Sequence, residues 1–282
     1  MSSGPQLPKP TWFVGCGNMG SAIVEGWRTA GIDLTNLTII DPWINPIEGV
    51  RTVAELAEAG APPRLVVLAV KPQTLDEVAA QLRPWLTSRA AIVSILAGTR
   101  AASLRERFPA AGTIVRAMPN LPAAVRRGVI GLYSNDIDSA LQTQLGDLFA
   151  ALGYAMWMAD EAKLAALGAV SGAGPAYAAR FIAALAKAGE ELGLSSETAA
   201  IIARETVLGT AWMSATTGES SEGVARRVAS PHGTTEAGLK ILDKDGALDD
   251  LVARTIDAAA RRGEELAAAA DVPSLAGTER LH

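Results

Sequence analysis

Residues Trp12 to Gly20, W-F-V-G-C-G-N-M-G, constrain this chain more than any other stretch. A short hydrophobic strand meets glycines at 15, 17 and 20 and passes directly into the apolar-faced helical run Ser21 to Ala30. That is the strand, turn and helix of a dinucleotide-binding βαβ unit. The three glycines answer different steric demands. Gly15 makes the tight turn, Gly17 lets the backbone approach a pyrophosphate, and Gly20 lets the helix pack closely on the strand. The helix amino end then offers free N–H groups and a positive dipole to phosphates. Glycines alone would also fit an ordinary turn. Here, however, a second strand at Leu37 to Ile40 ends in Asp41, 21 residues past Gly20, where the ribose-reading acid of an NAD site belongs. A carboxylate that accepts ribose hydroxyls repels a 2′-phosphate, so the coenzyme is chosen largely at Asp41 and NADH is expected to be at least tolerated.

The chain that follows predicts an α/β domain. After Asp41 comes D-P-W-I-N-P-I-E-G-V-R, with two prolines and no helical period, so a strand near Gly49 to Val53 would follow a contracted crossover. Thr52 to Ala59 has a short helical pattern. Leu65 to Val70 is a continuous apolar run of the kind that forms a buried parallel strand, and it ends in Lys71-Pro72 at an edge where ligands sit. Gln73 to Trp85 and Thr99 to Arg107 read as helices, Ala91 to Ile95 and Thr113 to Ala117 as strands. The loop Met118-Pro119-Asn120-Leu121-Pro122 is held to few shapes by its prolines. Val129 to Tyr133, a helix at Ile137 to Leu152, and Tyr154 to Met158 complete the alternation.

From Asp160 strand signals vanish, and Ala-rich helical stretches follow at 161–170, 175–192, 196–216, 221–228, 235–243 and 248–270. Helices with so few large side chains complete their core against a second subunit. The expected organisation is therefore a disordered lead-in at 1–10, a Rossmann-like mostly parallel domain at 11–160, an all-α dimerisation domain at 161–270 and a tail at 271–282. At 282 residues, 49% hydrophobic and 20% charged, the chain has ample material for such cores. A net charge of −5 argues against nucleic acid and anionic membranes as partners. One cysteine, Cys16, and two histidines cannot assemble a zinc-type site or an internal disulfide, so no metal is expected. The Ser/Gly/Pro-rich start lacks a signal-peptide core, and no apolar run reaches the roughly 18 residues of a membrane span, which points to the cytoplasm.

Two further motifs carry chemistry. Ser171 to Tyr177, S-G-A-G-P-A-Y, opens a long helix with small residues, and Ser230 to Gly238, S-P-H-G-T-T-E-A-G, is a hydroxyl-rich turn entering a helix. Thr234 or Thr235 can cap that helix, and its free N–H groups suit an anion such as a carboxylate. A well-capped helix is the plainer alternative.

Together with V-G-C-G-N-M-G, A-V-K-P-Q at 69–73, S-I-L-A-G at 94–98 and A-M-P-N-L-P-A at 117–123, these motifs come in the order and spacing of the pyrroline-5-carboxylate reductases. The resemblance covers about residues 11 to 270. It implies NADH- or NADPH-dependent reduction of 1-pyrroline-5-carboxylate to L-proline by a homodimer of intertwined helical domains, or by a larger ring of such dimers. It also implies roles for particular residues. Gly15, Gly17, Asn18, Met19 and Gly20 would hold the pyrophosphate, and Ala69, Val70, Lys71 and Pro72 would line the ribose. Asn120 and Pro122 would face the nicotinamide end. Ser230, Gly233, Thr234 and Thr235 would hold the substrate carboxylate across the dimer interface, with Thr235 as the candidate catalytic hydrogen-bond donor near the ring nitrogen.

The sequence departs from the family pattern at several places: His232 stands where a glycine is usual, Gly168 where a threonine is common, the segment after Asp41 is contracted, and no arginine follows the second strand as a partner for a 2′-phosphate. A related cyclic imine is thus an alternative substrate. A β-hydroxyacid dehydrogenase would need a catalytic lysine on the helix after the second glycine turn, and Pro175 to Leu185 holds none. A non-catalytic nucleotide sensor would have no use for the S-P-H-G-T-T turn.

Overall fold

The computed structural model describes residues 4–43 and 46–270. The stretch 1–3 of the expected lead-in and the expected tail at 271–282 lie outside the described residues. Contacts divide the described residues into two compact units, one drawn from 4–173 and 259–270 and the other from 174–258.

The first unit is built on an eight-stranded sheet. Its strands are β1 (Thr11–Val14), β2 (Leu37–Ile40), β3 (Arg51–Val53), β4 (Leu65–Leu68), β5 (Ala91–Ser94), β6 (Thr113–Met118), β7 (Gly128–Tyr133) and β8 (Gly153–Trp157). They lie in the order β3-β2-β1-β4-β5-β6-β7-β8. All pairings are parallel except β6 with β7, so the sheet is mostly parallel, as the alternation predicts. Every residue of β1, β2, β4 and β5 is buried. Such strands need apolar side chains on both faces because helices cover both. Phe13, Ile39, Val67 and Val93 feed one apolar cluster, while Trp12, Ile40, Val66 and Ile92 feed the other. The period of two along each strand thus divides the core between the faces. Each fully buried Leu, Ile or Phe contributes about 1.5–3 kcal/mol.

The helices α1 (Asn18–Thr29), α2 (Leu75–Leu82), α3 (Ala101–Arg107), α4 (Ser139–Ala150) and α5 (Glu161–Ser171) accompany this sheet. Trp27 of α1 packs edge-on to Phe13 and Phe149 and donates its indole N–H to the Leu148 carbonyl at 3.0 Å. Asp138 and Asp160 cap α4 and α5 by accepting from the N–H groups of Leu141 and Lys163. The register pairs Val14 with both Ile40 and Leu68. Consequently the chain leaves β1, β2 and β4 side by side at their carboxyl ends. With β2 on one side of β1 and β4 on the other, this is the switch point where open α/β sheets bind ligands.

Three local expectations change. The stretch 4–10 is not a free lead-in: Leu7 is 3% exposed within the first core cluster, and the Pro10 carbonyl accepts from Arg64 N–H. One leucine among prolines has no periodic signature, so its burial is invisible locally. Thr52 to Ala59 is not one helix, since β3 takes its start and a 3-10 turn at Leu56–Glu58 its end. Pairing of β3 with β2 outweighs the weak helical preference of so short a segment. Finally, α5 groups with the sheet rather than with the later helices. Leu164 is fully buried, Leu164 and Leu167 pack over Gly131 of β7, and Glu161 pairs with buried Arg116 of β6 at 2.8 Å.

The second unit is helical: α6 (Gly174–Glu191), α7 (Ser196–Thr217), α8 (Ser221–Val228), α9 (Thr234–Leu242) and the first part of α10 (Ala247–Ala270). The α6–α7 hairpin closes where Gly189 lets Leu194 and Ala199 approach. Buried side chains are few and small, chiefly Ala199, Ala203 and Val224. Large apolar side chains stay exposed, among them Leu208 at 57%, Ile241 at 73% and Val252 at 51%. An exposed apolar surface of this extent on a helical unit marks an association face.

Candidate active site

The glycine turn follows β1 directly. Gly15 has φ +79°, and a Cβ there would stand 2.8 Å from Val70 Cγ1 and 2.9 Å from the Ala69 carbonyl, so only glycine fits. Gly20 packs against Phe13, with a built Cβ 3.0 Å from its ring. Gly17 differs, because a Cβ there would meet nothing within 4 Å. Its side faces open space, as the approach of a pyrophosphate requires. Gly17 is also the N-cap of α1, no side chain caps that helix, and no acid lies in its first turn. The first helical N–H groups, from Asn18, Met19 and Gly20, are therefore available to an anion.

Asp41 closes the turn from the β2 side. Its Oδ2 accepts the Cys16 N–H at 2.6 Å and its Oδ1 the Trp43 N–H at 2.8 Å. Burial pushes the Cys16 thiol up to about 11, with its Ser21 contact lowering and Asp41 raising it to lesser extents. Thus Cys16 is a protonated filler beneath the turn. A cleft of about 1010 Å³ opens here, lined by Gly15, Gly17, Asp41, Ala69, Val70 and Lys71 among others. The volume, the uncapped helix and the open Gly17 together fit a dinucleotide. Trp43, Glu55, Glu77 and Trp85 also line it, and reading the sequence passed over all four. Trp43 was findable, being two residues past the acid. Glu55 and Glu77 carry no local signal, since their place depends on how β3 and α2 are seated.

Pro72 begins a 3-10 turn with Lys71 exposed at its cap. The Asn120 side chain is braced on both sides: its Nδ2 donates to the Ser171 carbonyl at 3.0 Å and its Oδ1 accepts the Val129 N–H at 2.8 Å, which leaves one N–H and one lone pair of the amide over. It thereby ties the end of α5 to the start of β7. Pro122 gives its carbonyl to Arg127 N–H. At Gly168 the Met118 side chain fills the space, with Cγ 3.2 Å from a built Cβ, so no hydroxyl replaces the family's threonine there.

In the second unit the turn before α9 has its own geometry. His232 adopts φ +59°, and its N–H donates to Glu236 Oε2 at 2.6 Å. Lys240 and that N–H hold the Glu236 carboxyl below its usual range. The Gly233 N–H donates to the Ser230 carbonyl at 3.0 Å, and a Cβ at Gly233 would strike Ser230 Oγ. Neither threonine caps the helix, contrary to expectation: Gly233 is the N-cap with no side-chain cap, and Thr234 and Thr235 are the first two helical residues. Their hydroxyls take no part in capping. The sequence-predicted residues thus gather into two groups: the glycine turn, Asp41 and 69–72 on the first unit, and 230–235 on the second. Among the described residues no group of His, Cys, Asp or Glu could hold a metal, and no helix is long and apolar enough to cross a membrane.

A dinucleotide cradle at the switch point of a mostly parallel sheet, followed by a helical unit with an anion-ready turn, defines a two-unit nicotinamide-dependent oxidoreductase. Residues 161–266 match the family model described as pyrroline-5-carboxylate reductase dimerisation, and residues 12–98 that of NADP oxidoreductase, coenzyme F420-dependent. The chain is 41% identical to the pyrroline-5-carboxylate reductase of Pseudomonas aeruginosa over 262 residues, covering 90% of this chain and 96% of that one. The Coxiella burnetii pyrroline-5-carboxylate reductase structure superposes with a TM-score of 0.84 at 33% identity, covering 92% of this chain and 99% of that one. The Plasmodium falciparum pyrroline carboxylate reductase, solved with NADP bound, gives 0.82 at 28% identity over 92% and 98% of the two chains. This chain belongs to the pyrroline-5-carboxylate reductase family.

Proposed function

We infer that the protein reduces 1-pyrroline-5-carboxylate to L-proline with NAD(P)H. The observation that carries this, beside family membership, is the turn at 230–235, whose two threonines and free helix N–H groups are uncommitted to capping. NAD(P)H held by the glycine turn and residues 69–72 would supply hydride for the C=N carbon, with a proton taken up at the ring nitrogen. The chain's own residues need only bind and orient, so the lack of an acid/base dyad is no obstacle. In this reading Gly15, Gly17, Asn18, Met19 and Gly20 hold the pyrophosphate, and Ala69 to Pro72 line the ribose. Ser230, Gly233, Thr234 and Thr235 hold the carboxylate, with Thr235 donating near the ring nitrogen. Asn120 acts as a positioning residue through Ser171 and Val129.

The reading includes a homodimer through the exposed faces of the helical unit, assembly of dimers into a ring, and a cytoplasmic location. The exposed Leu208, Ile241 and Val252 support the first. The test is coenzyme oxidation with the pyrroline acid, with proline identified as product, in wild type and Thr235→Ala. A charge-assisted hydrogen bond contributes about 1.5–3 kcal/mol, so kcat/KM should fall by tenfold or more with coenzyme affinity unchanged. A variant that lost coenzyme affinity and kept substrate KM would reverse the two assignments.

A further inference from the structure

We propose that the cleft beside β2 selects NADH over NADPH, with Asp41 taking the adenosine ribose hydroxyls and Trp43 covering the adenine. The proposal rests on reading this cleft as the dinucleotide site and is independent of the substrate.

Asp41 is a fixed acceptor. Both carboxylate oxygens are held by backbone N–H groups, from Cys16 at 2.6 Å and Trp43 at 2.8 Å, so the group cannot swing aside. Each oxygen keeps a further lone pair, which a ribose hydroxyl can fill and a phosphate oxygen cannot. The surroundings have the same sign. Glu55 and Glu77 line the cleft with Asp41, and Lys71 is the one cation among its described lining residues. Lys71 follows β4, across β1 from the strand that ends in Asp41.

A 2′-phosphate site would call for an arginine near the end of β2. Between Asp41 and Gly60 the sequence offers one, Arg51 on β3. Its guanidinium is engaged elsewhere, donating to the Glu58 carbonyl at 2.5 Å and the Ala59 carbonyl at 3.3 Å, and it does not line the cleft. A phosphate of up to two negative charges would therefore share this cleft with three carboxylates, one lysine and no guanidinium.

Trp43 explains the rest of the cleft. Trp12 and Trp27 are fully buried, whereas Trp43 is 92% exposed and lines this cleft with its own N–H fixed on Asp41. An indole presented beside a ribose-reading acid is a platform for a base, whose π-face stacks on it without regard to the phosphate pattern.

The test is direct binding of NADH and NADPH to the full chain without substrate, followed by nicotinamide fluorescence. Wild type should bind NADH at least tenfold more tightly. Asp41→Asn should abolish most of that ratio. Trp43→Ala should weaken both coenzymes by about tenfold and leave the ratio unchanged, with less quenching of protein fluorescence on binding. Should Asp41→Asn fail to fold, Glu77→Gln replaces it, with NADPH affinity expected to rise severalfold and NADH affinity to hold. NADPH bound as tightly as NADH by wild type would overturn the selection, and unaltered affinities in Trp43→Ala would overturn the adenine platform. If neither coenzyme bound, the reading of the cleft itself would fall.

Discussion

Substituting alanine at two glycines of the same turn should separate folding from coenzyme binding. At Gly17 the backbone is extended, with φ −68° and ψ −160°, and a methyl group would meet nothing within 4 Å. The folded state therefore loses nothing, and the unfolded chain loses freedom, so Gly17→Ala should leave stability unchanged or raise it by about 0.4–1 kcal/mol. The methyl would instead occupy the space through which a pyrophosphate approaches α1. Losing one or two charge-assisted N–H contacts of about 1.5–3 kcal/mol each should raise the coenzyme Kd by tenfold or more. At Gly15 the opposite holds. An alanine would adopt φ +79° and press on the Ala69 backbone at 2.9 Å. Left-handed strain and overpacking together cost about 2–5 kcal/mol, which for a chain of this size lowers Tm by roughly 5–15 °C. Thermal melts and coenzyme titrations on both variants provide the assay. A Gly17→Ala protein that melted well below wild type, or that bound coenzyme normally, would refute the assignment of open space at Gly17 to a phosphate.

Other outcomes follow from single features. His232→Gly should stabilise by up to about 1 kcal/mol, because φ +59° costs histidine more than glycine while the N–H to Glu236 is kept; a chemical melt showing a clear loss would contradict this. Cys16 has its folded value raised to about 11 from 9.0, so its contribution to stability is complete below about pH 9 and is lost as pH rises toward 11. Cys16→Ala should flatten the alkaline limb of the stability profile, and the native thiol should resist iodoacetamide at pH 8. The apolar faces of the helical unit should make Tm rise with protein concentration, and a concentration-independent Tm with monomeric mass by sedimentation would argue against association.

Local sequence determined a good deal of this protein. Strand, glycine turn and helix at 12–30 were legible because each glycine answers a short-range steric demand, and the buried runs at 65–68 and 91–94 because both faces of a parallel strand must be apolar. Asp41 stands out by its spacing, while the Cys16 and Trp43 N–H groups that its carboxylate accepts appear only in the fold. The late helices fell within a residue or two of their predicted ends, as with Ser221–Val228, because capping serines and glycines are local signals. What tertiary structure alone decided involves partners distant in sequence. Nothing local shows that the Asn120 amide spans Ser171 and Val129, which lie 51 and 9 residues away. Arg51 could have met a phosphate until its guanidinium is seen on the 3-10 turn at Leu56–Glu58. Leu7 joins the core, and α5 joins the sheet through Leu164 and the Glu161–Arg116 pair. A periodicity records only which face of an element is buried. Which side chain meets which polar group across the fold is set when the elements pack, and no local pattern encodes it.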